Sequence, residues 1–290
     1  TESFCSQFGK IMGLDTLDYQ VAYLKDTAIY IPKVEQQVKC GLLSSSFQKK
    51  DKNYYLVSEL LNSEISDLKS YGDYSLESLL NFFENQTTKE CYEKTKSYLL
   101  LLFICDYFTH QLDRNYHNIS FEIPKIEGVN YKERLRLNVF HPEFASKYGT
   151  FTDEGTIWRI PDLFPTVMYD SERSLGADHK KPLSYTLGEV WMPLFPYSPD
   201  LLFRTKQEAE AKKENYYGLD PNLVELAFNY DQEVIPILER LAYGDEYLEV
   251  LEKYNTNHSQ IRIKPETNDF LVHLFEDKKK EVKKVLTLFK

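Results

Sequence analysis

Two oxygen-bearing side chains stand five positions apart in the run Leu112-Asp113-Arg114-Asn115-Tyr116-His117-Asn118. An Asp at the first position can accept a hydroxyl proton, and an Asn carbonyl oxygen at the second is a hard ligand for a divalent cation. A further carboxylate, Asp170, closes the apolar run Pro165-Thr166-Val167-Met168-Tyr169. Three such groups suit phosphoryl transfer, which needs in-line positioning and cations on the phosphate oxygens more than covalent help from the protein. The spacing alone is common by chance. Its weight comes from what surrounds it.

Each residue also has a plainer use. Asp113 can cap a helix or pair with Arg114, Asn118 can serve a turn, and Asp170 can end a strand. Asn118-Ile119-Ser120 is formally a glycosylation sequon. His110, Asp113 and His117 lack the spacing of a helical zinc site, so His117 is read as a loop hydrogen-bonding residue or a support for Asp113. Ser44–Ser46 reads as a turn, and the lysines at 278–280 and 283–284 as a solvated helix face. No G-x-S-x-G elbow is present, which sets aside a Ser-His-Asp hydrolase.

These groups need rigid elements behind them. Phe4, Phe8, Ile11 and Met12 recur at three- and four-residue steps, predicting a helix over 2–14 that Gly13 stops. Strands are expected at Tyr19–Leu24, Ala28–Ile31 and Tyr54–Val57. The pattern turns helical from Leu60 to Gln111, and Tyr98–Phe108 is apolar almost all round, as in a buried central helix. The Asp113 loop follows it directly. Strands are expected at Ile119–Ile123, Leu135–Phe140 and Ile157–Ile160, and Trp158 and Trp191 as packing residues. Six prolines between 161 and 199 mark an irregular connection. Helices return at Leu223–Asn229, Val234–Tyr243 and Glu266–Phe289.

Composition narrows the function classes. The 290 residues carry 35 basic and 45 acidic side chains, a formal charge of −10, which disfavours a strong nucleic-acid binder. The 11 glycines never approach closer than Gly9 and Gly13, so neither a dinucleotide nor a Walker-type phosphate loop lies within this sequence. The four cysteines, at 5, 40, 91 and 105, form no C-x-x-C pair, and reduced thiols in the cytoplasm are expected. The longest apolar run, Tyr98–Cys105, is too short to span a bilayer.

Four segments together resemble the HipA-like Ser/Thr kinases of bacterial toxin–antitoxin systems and related effectors. Residues 2–14 look like that family's helix C. Gly41–Phe47 with Tyr55-Leu56-Val57 is similar to its strand and hinge. Phe103–Phe108 leading into Leu112-Asp113-Arg114 and Asn118-Ile119-Ser120-Phe121 resembles its F-D-x-L-x-x-N-x-D-R-H-x-x-N-x-x-F stretch. Pro165–Asp170 with Ser174-Leu175-Gly176 resembles P-x-F-D-x-x-x-S-L-G. The D-x-x-x-x-N spacing is also that of a kinase catalytic loop.

The resemblance implies an α+β, two-lobed kinase-like fold: residues 1–62 as an incomplete small lobe, and 63–290 as a mostly helical large lobe. It implies ATP and Mg2+ as cofactors, with Asp113 as catalytic base and Asn118 and Asp170 as metal ligands. Glu2 would pair with a phosphate-gripping Lys, and Arg114 would steady the loop or a phosphate. Partners would be a protein substrate and an antitoxin or complementary small-lobe chain. Departures are Tyr116-His117 in place of the His beside Arg114, Gln111 for an Asn, and Ser171-Glu172 after the metal Asp. The family's nucleotide-covering loop and its Lys precede helix C, and this sequence opens on Thr1. An upstream segment is therefore expected; the alternatives are a split kinase completed by a second chain and a non-catalytic kinase-fold binding protein. A small-molecule or lipid kinase follows the same residue logic.

Overall fold

The computed structural model describes residues 2–23, 29–31, 36–38, 40–57, 60, 76–111, 114, 118–125, 150–151, 158–159, 162–168, 174–175, 219–257 and 265–290. Seven helices stand among them: α1 (Glu2–Met12), α2 (Leu76–Gln86), α3 (Lys89–Thr109), α4 (Pro221–Asn229), α5 (Asp231–Tyr243), α6 (Glu246–Asn257) and α7 (Pro265–Thr287). The strands are β1 (Tyr19–Tyr23), β2 (Ile29–Ile31), β3 (Gln36–Val38), β4 (Cys40–Ser44), β5 (Lys52–Leu56), β6 (Ser120–Pro124), β7 (Thr150–Phe151), β8 (Trp158–Arg159) and β9 (Phe164–Pro165). The expected strand at 135–140, and Trp191, lie outside the described residues.

Helix α1 forms because Phe4, Phe8 and Met12 share one face, with Glu2 in the first turn and Lys10 in the last, as the helix dipole favours. Gly13 ends it at φ 103, the left-handed region that glycine enters without penalty. The amides of Gly13 and Leu14 donate back to the carbonyls of Lys10 and Gly9 at 3.0 and 2.8 Å, the paired bonds of a Schellman stop.

The apolar face of α1 is sunk among helices. The Phe8 ring lies 6.3 Å from Phe108 of α3 and 5.8 Å from Phe275 of α7, and Tyr247 of α6 stacks on Phe275 at 4.8 Å. Each buried ring of this kind contributes about 2 kcal/mol by leaving water. Helix α3 is the spine. From Leu102 to Thr109 every side chain is buried, as its all-round apolar sequence predicts.

Sheets are small. β1 pairs antiparallel with β4, and the β2–β3 hairpin lies between them in sequence. β5, β6 and β9 form an antiparallel sheet in which Tyr55 faces Phe121 and Phe121 faces Pro165. β7 pairs with β8. No described helix is long and apolar enough to cross a membrane.

Helix α7 departs from expectation. Lys280, Lys283 and Lys284 are exposed, but Lys279 is buried and donates to the Gly244 carbonyl at 2.8 Å and to Asp245 at 3.0 Å. Lys278 sits 3.9 Å over the ring of Tyr107. The lysine-rich face is only partly solvated. Its aliphatic stems cover the core while the ammonium groups find carbonyls, carboxylates and a ring.

Candidate active site

The candidate loop leaves α3 through a second Schellman stop. Here the left-handed position is held by His110, at φ 51, where α1 uses glycine. The amide of Gln111 donates to the Asp106 carbonyl at 2.9 Å and that of His110 to Tyr107 at 3.3 Å. A left-handed non-glycine residue costs about 1–2 kcal/mol, so surrounding contacts must hold it.

Arg114 is the best-placed candidate residue. It is 1% exposed, and its guanidinium meets the Asp106 carboxylate side-on: Nε donates to Oδ2 at 2.8 Å and Nη2 to Oδ1 at 3.0 Å. Its Nη1 donates to the backbone carbonyl of Asn118 at 3.2 Å. Burial pushes the Asp106 carboxyl above its usual range, and the Arg114 charge opposes that rise. One side chain thus ties the spine helix, the loop and the entry to β6 together. These three bonds all run to protein groups, two to the Asp106 carboxylate and one to the Asn118 backbone.

Asn118 is half-buried, two residues before β6 begins. Glu2 is half-buried in the first turn of α1. Asp113 and Asp170 lie outside the described residues, but residues on either side of each are fixed. Ser120 and Thr166 share a hydroxyl–hydroxyl bond at 2.7 Å, and the Thr166 amide donates to the Ser120 carbonyl at 2.9 Å. These Ser120–Thr166 bonds carry the pairing of Phe121 with Pro165 one residue further towards Asn118. Met168 is in turn gripped from the exit of α1: its amide donates to Asp15 O at 2.7 Å, and its carbonyl accepts from Leu17 at 3.2 Å. Farther on, the Leu175 amide donates to the Thr109 carbonyl at 2.6 Å.

Sequence reasoning missed Asp106 as a partner, although an acid inside the apolar stretch Tyr98–Phe108 signals a buried counterion. It also missed the Gly9 contact. A Cβ there would stand 2.8 Å from Thr16 Cγ2 and 3.0 Å from Met168 Cε, so glycine admits the Thr16–Met168 bridge against α1. The described residues that line a cleft of about 510 Å3 between the α1 exit, α3 and β9 include none of Glu2, Arg114 and Asn118. Among the described residues, no three His, Cys, Asp or Glu side chains gather as a metal site.

No family model matches the sequence, and no curated protein matches it significantly. Among solved structures, the Helicobacter pylori proinflammatory kinase CtkA superposes with a TM-score of 0.57 at 15% identity, over 98% of this chain and 80% of that one. The chain has a kinase-like α+β fold, similar to that of this kinase. The Shewanella oneidensis HipA, in its complex with HipB and operator DNA, aligns over 99% of this chain and 55% of its own at 9% identity, with a TM-score of 0.44.

Proposed function

We propose that this chain is a HipA-like protein kinase that transfers the γ-phosphate of ATP to a protein Ser or Thr hydroxyl. The observation that carries the reading is the Arg114 clamp: a fully buried guanidinium fixing the candidate loop between the spine helix and Asn118. A fold likeness to a kinase supports it.

In this reading Asp113 accepts the hydroxyl proton, and Asn118 and Asp170 hold Mg2+. An amide oxygen and carboxylates are hard donors that fit that ion and ATP phosphates. Bound Mg2+ supplies charge neutralisation at the phosphate oxygens. Glu2 would pair with a Lys that grips the nucleotide. Residues 1–62 belong to the small lobe and 63–290 to the large one. The setting is cytoplasmic, as a toxin or effector, with an antitoxin or complementary small-lobe chain as partner.

Incubation with labelled ATP and a mixed protein acceptor tests this. Phosphoserine or phosphothreonine is expected from the native chain, and a loss of about 10²–10⁴-fold from Asp113→Asn. A rate within a few-fold of native would refute the base assignment. No label from either protein would favour the kinase-fold binding protein.

A further inference from the structure

Both candidate segments hang from one turn of helix. Asp106 holds Arg114 of the first through two bonds, and the Thr109 carbonyl holds Leu175, just beyond the second. We propose that Asp106 is a positioning residue: through Arg114 it sets where the catalytic loop stands, so that Asp113 and Asn118 meet the metal-bound nucleotide. This deepens the kinase reading and rests on it.

The argument turns on why an ion pair occupies a core site. Both side chains are almost wholly buried, and a buried pair gives little net stability over apolar residues of similar volume. What it does give is geometry. A guanidinium presents its donors in a rigid planar fork, so two bonds to one carboxylate fix its plane as well as its place. The third bond, to the Asn118 carbonyl, then has one direction. Three backbone points are thereby related: residue 106 on α3, residue 114 in the loop and residue 118 at the mouth of β6. Lysine in place of Arg114 would satisfy the charge and leave the plane free.

A pair that served packing alone is separable from one that positions, because apolar replacement spares the first role and removes the second. The full chain is compared as native, Arg114→Lys and the double variant Asp106→Leu/Arg114→Met. Thermal midpoint and Mn2+ binding in the presence of ADP, read by electron paramagnetic resonance, are measured on each. The double variant is expected to melt within a few degrees of native while Mn2+ binding weakens at least about tenfold. Its phosphorylation rate is expected to fall about 10²-fold, the usual effect of misplacing reacting groups by about 1 Å. Arg114→Lys is expected to lie between.

A folded double variant that binds Mn2+ as the native chain does overturns the positioning role and leaves the kinase reading standing. A native chain that binds no Mn2+ with ADP overturns the kinase reading and the positioning role with it. Should the double variant not fold, Asp106→Asn/Arg114→Gln, which keeps uncharged hydrogen bonding in the same volume, is held to the same criteria.

Discussion

The backbone amide of Leu175 donates to the carbonyl of Thr109 at 2.6 Å, joining the segment beyond Asp170 to the last turn of α3. Leu175 adopts φ 59 to do so, a conformation that only a held residue keeps. Proline can neither enter that region nor donate, so Leu175→Pro leaves a buried carbonyl without its partner. A loss of about 3 kcal/mol or more is expected in urea titration. If Asp170 holds the metal, Mg2+ enhancement of nucleotide binding should fall in Leu175→Pro as it does in Asp170→Ala. Unchanged Mg2+ dependence in Asp170→Ala would show that ligand to be misassigned.

Much of this arrangement was legible beforehand, and the exceptions share a cause. The Gly13 stop, the buried run of α3 and the strand after Asn118 are local signals, set by helical periodicity and by glycine's freedom. The Arg114 clamp joins residues eight apart, across a helix end whose left-handed residue is His110 rather than glycine. Nothing in local patterning marks such a turn. β3 lacks clear alternation and did not stand out, whereas β4 was marked only by the resemblance of Gly41–Phe47 to a strand and hinge, and α6 had no bounds of its own within the helical last third. The burial of Lys279 depends on the Gly244 carbonyl and the Asp245 carboxylate, 35 and 34 residues away in the chain. Tertiary partners, not propensity, decide such cases.

Gly9 carries a second prediction. Alanine is the better helix former by about 1 kcal/mol, yet its methyl would stand 2.8 Å from Thr16 Cγ2 and 3.0 Å from Met168 Cε. Thr16 is also bonded to Ser6 through its hydroxyl at 3.0 Å and cannot easily withdraw. Overpacking of this kind costs about 1–3 kcal/mol. Gly9→Ala is therefore expected to lower the urea midpoint despite its propensity gain. A midpoint at or above native would mean that the α1 contact yields freely.

Glu281 joins three elements. One carboxylate oxygen accepts the Tyr107 hydroxyl at 2.7 Å, and the other accepts the Asp220 amide, at the cap of α4, also at 2.7 Å. Burial and the nearby carboxylates push the Tyr107 phenol well up, so it stays a donor. Hydrogen bonds to a buried charge contribute about 1.5–3 kcal/mol. Tyr107→Phe should cost about that much, and Glu281→Ala should cost more because it abandons both donors. A double-mutant cycle in urea checks the shared bond; additive effects would show that the two residues are uncoupled.

His110 gives a pH signature. It is 3% exposed, its Nδ1 has no hydrogen-bond partner among the described residues, and Lys278 bears on it. Burial first, then the lysine charge, lower its pKa from 6.5 to about 3. The unfolded chain therefore binds a proton below pH 6.5 that the folded chain refuses, and stability drops as pH falls from about 6.5 towards 3. At pH 5 this group alone removes about 2 kcal/mol relative to pH 7.5. His110→Asn keeps a residue tolerant of the left-handed position and removes the titration. Urea midpoints of the two proteins, compared between pH 7.5 and pH 5, should shift by that amount in favour of the variant. Parallel pH profiles would mean that His110 takes up its proton in the folded state, and that the α3 end opens to water.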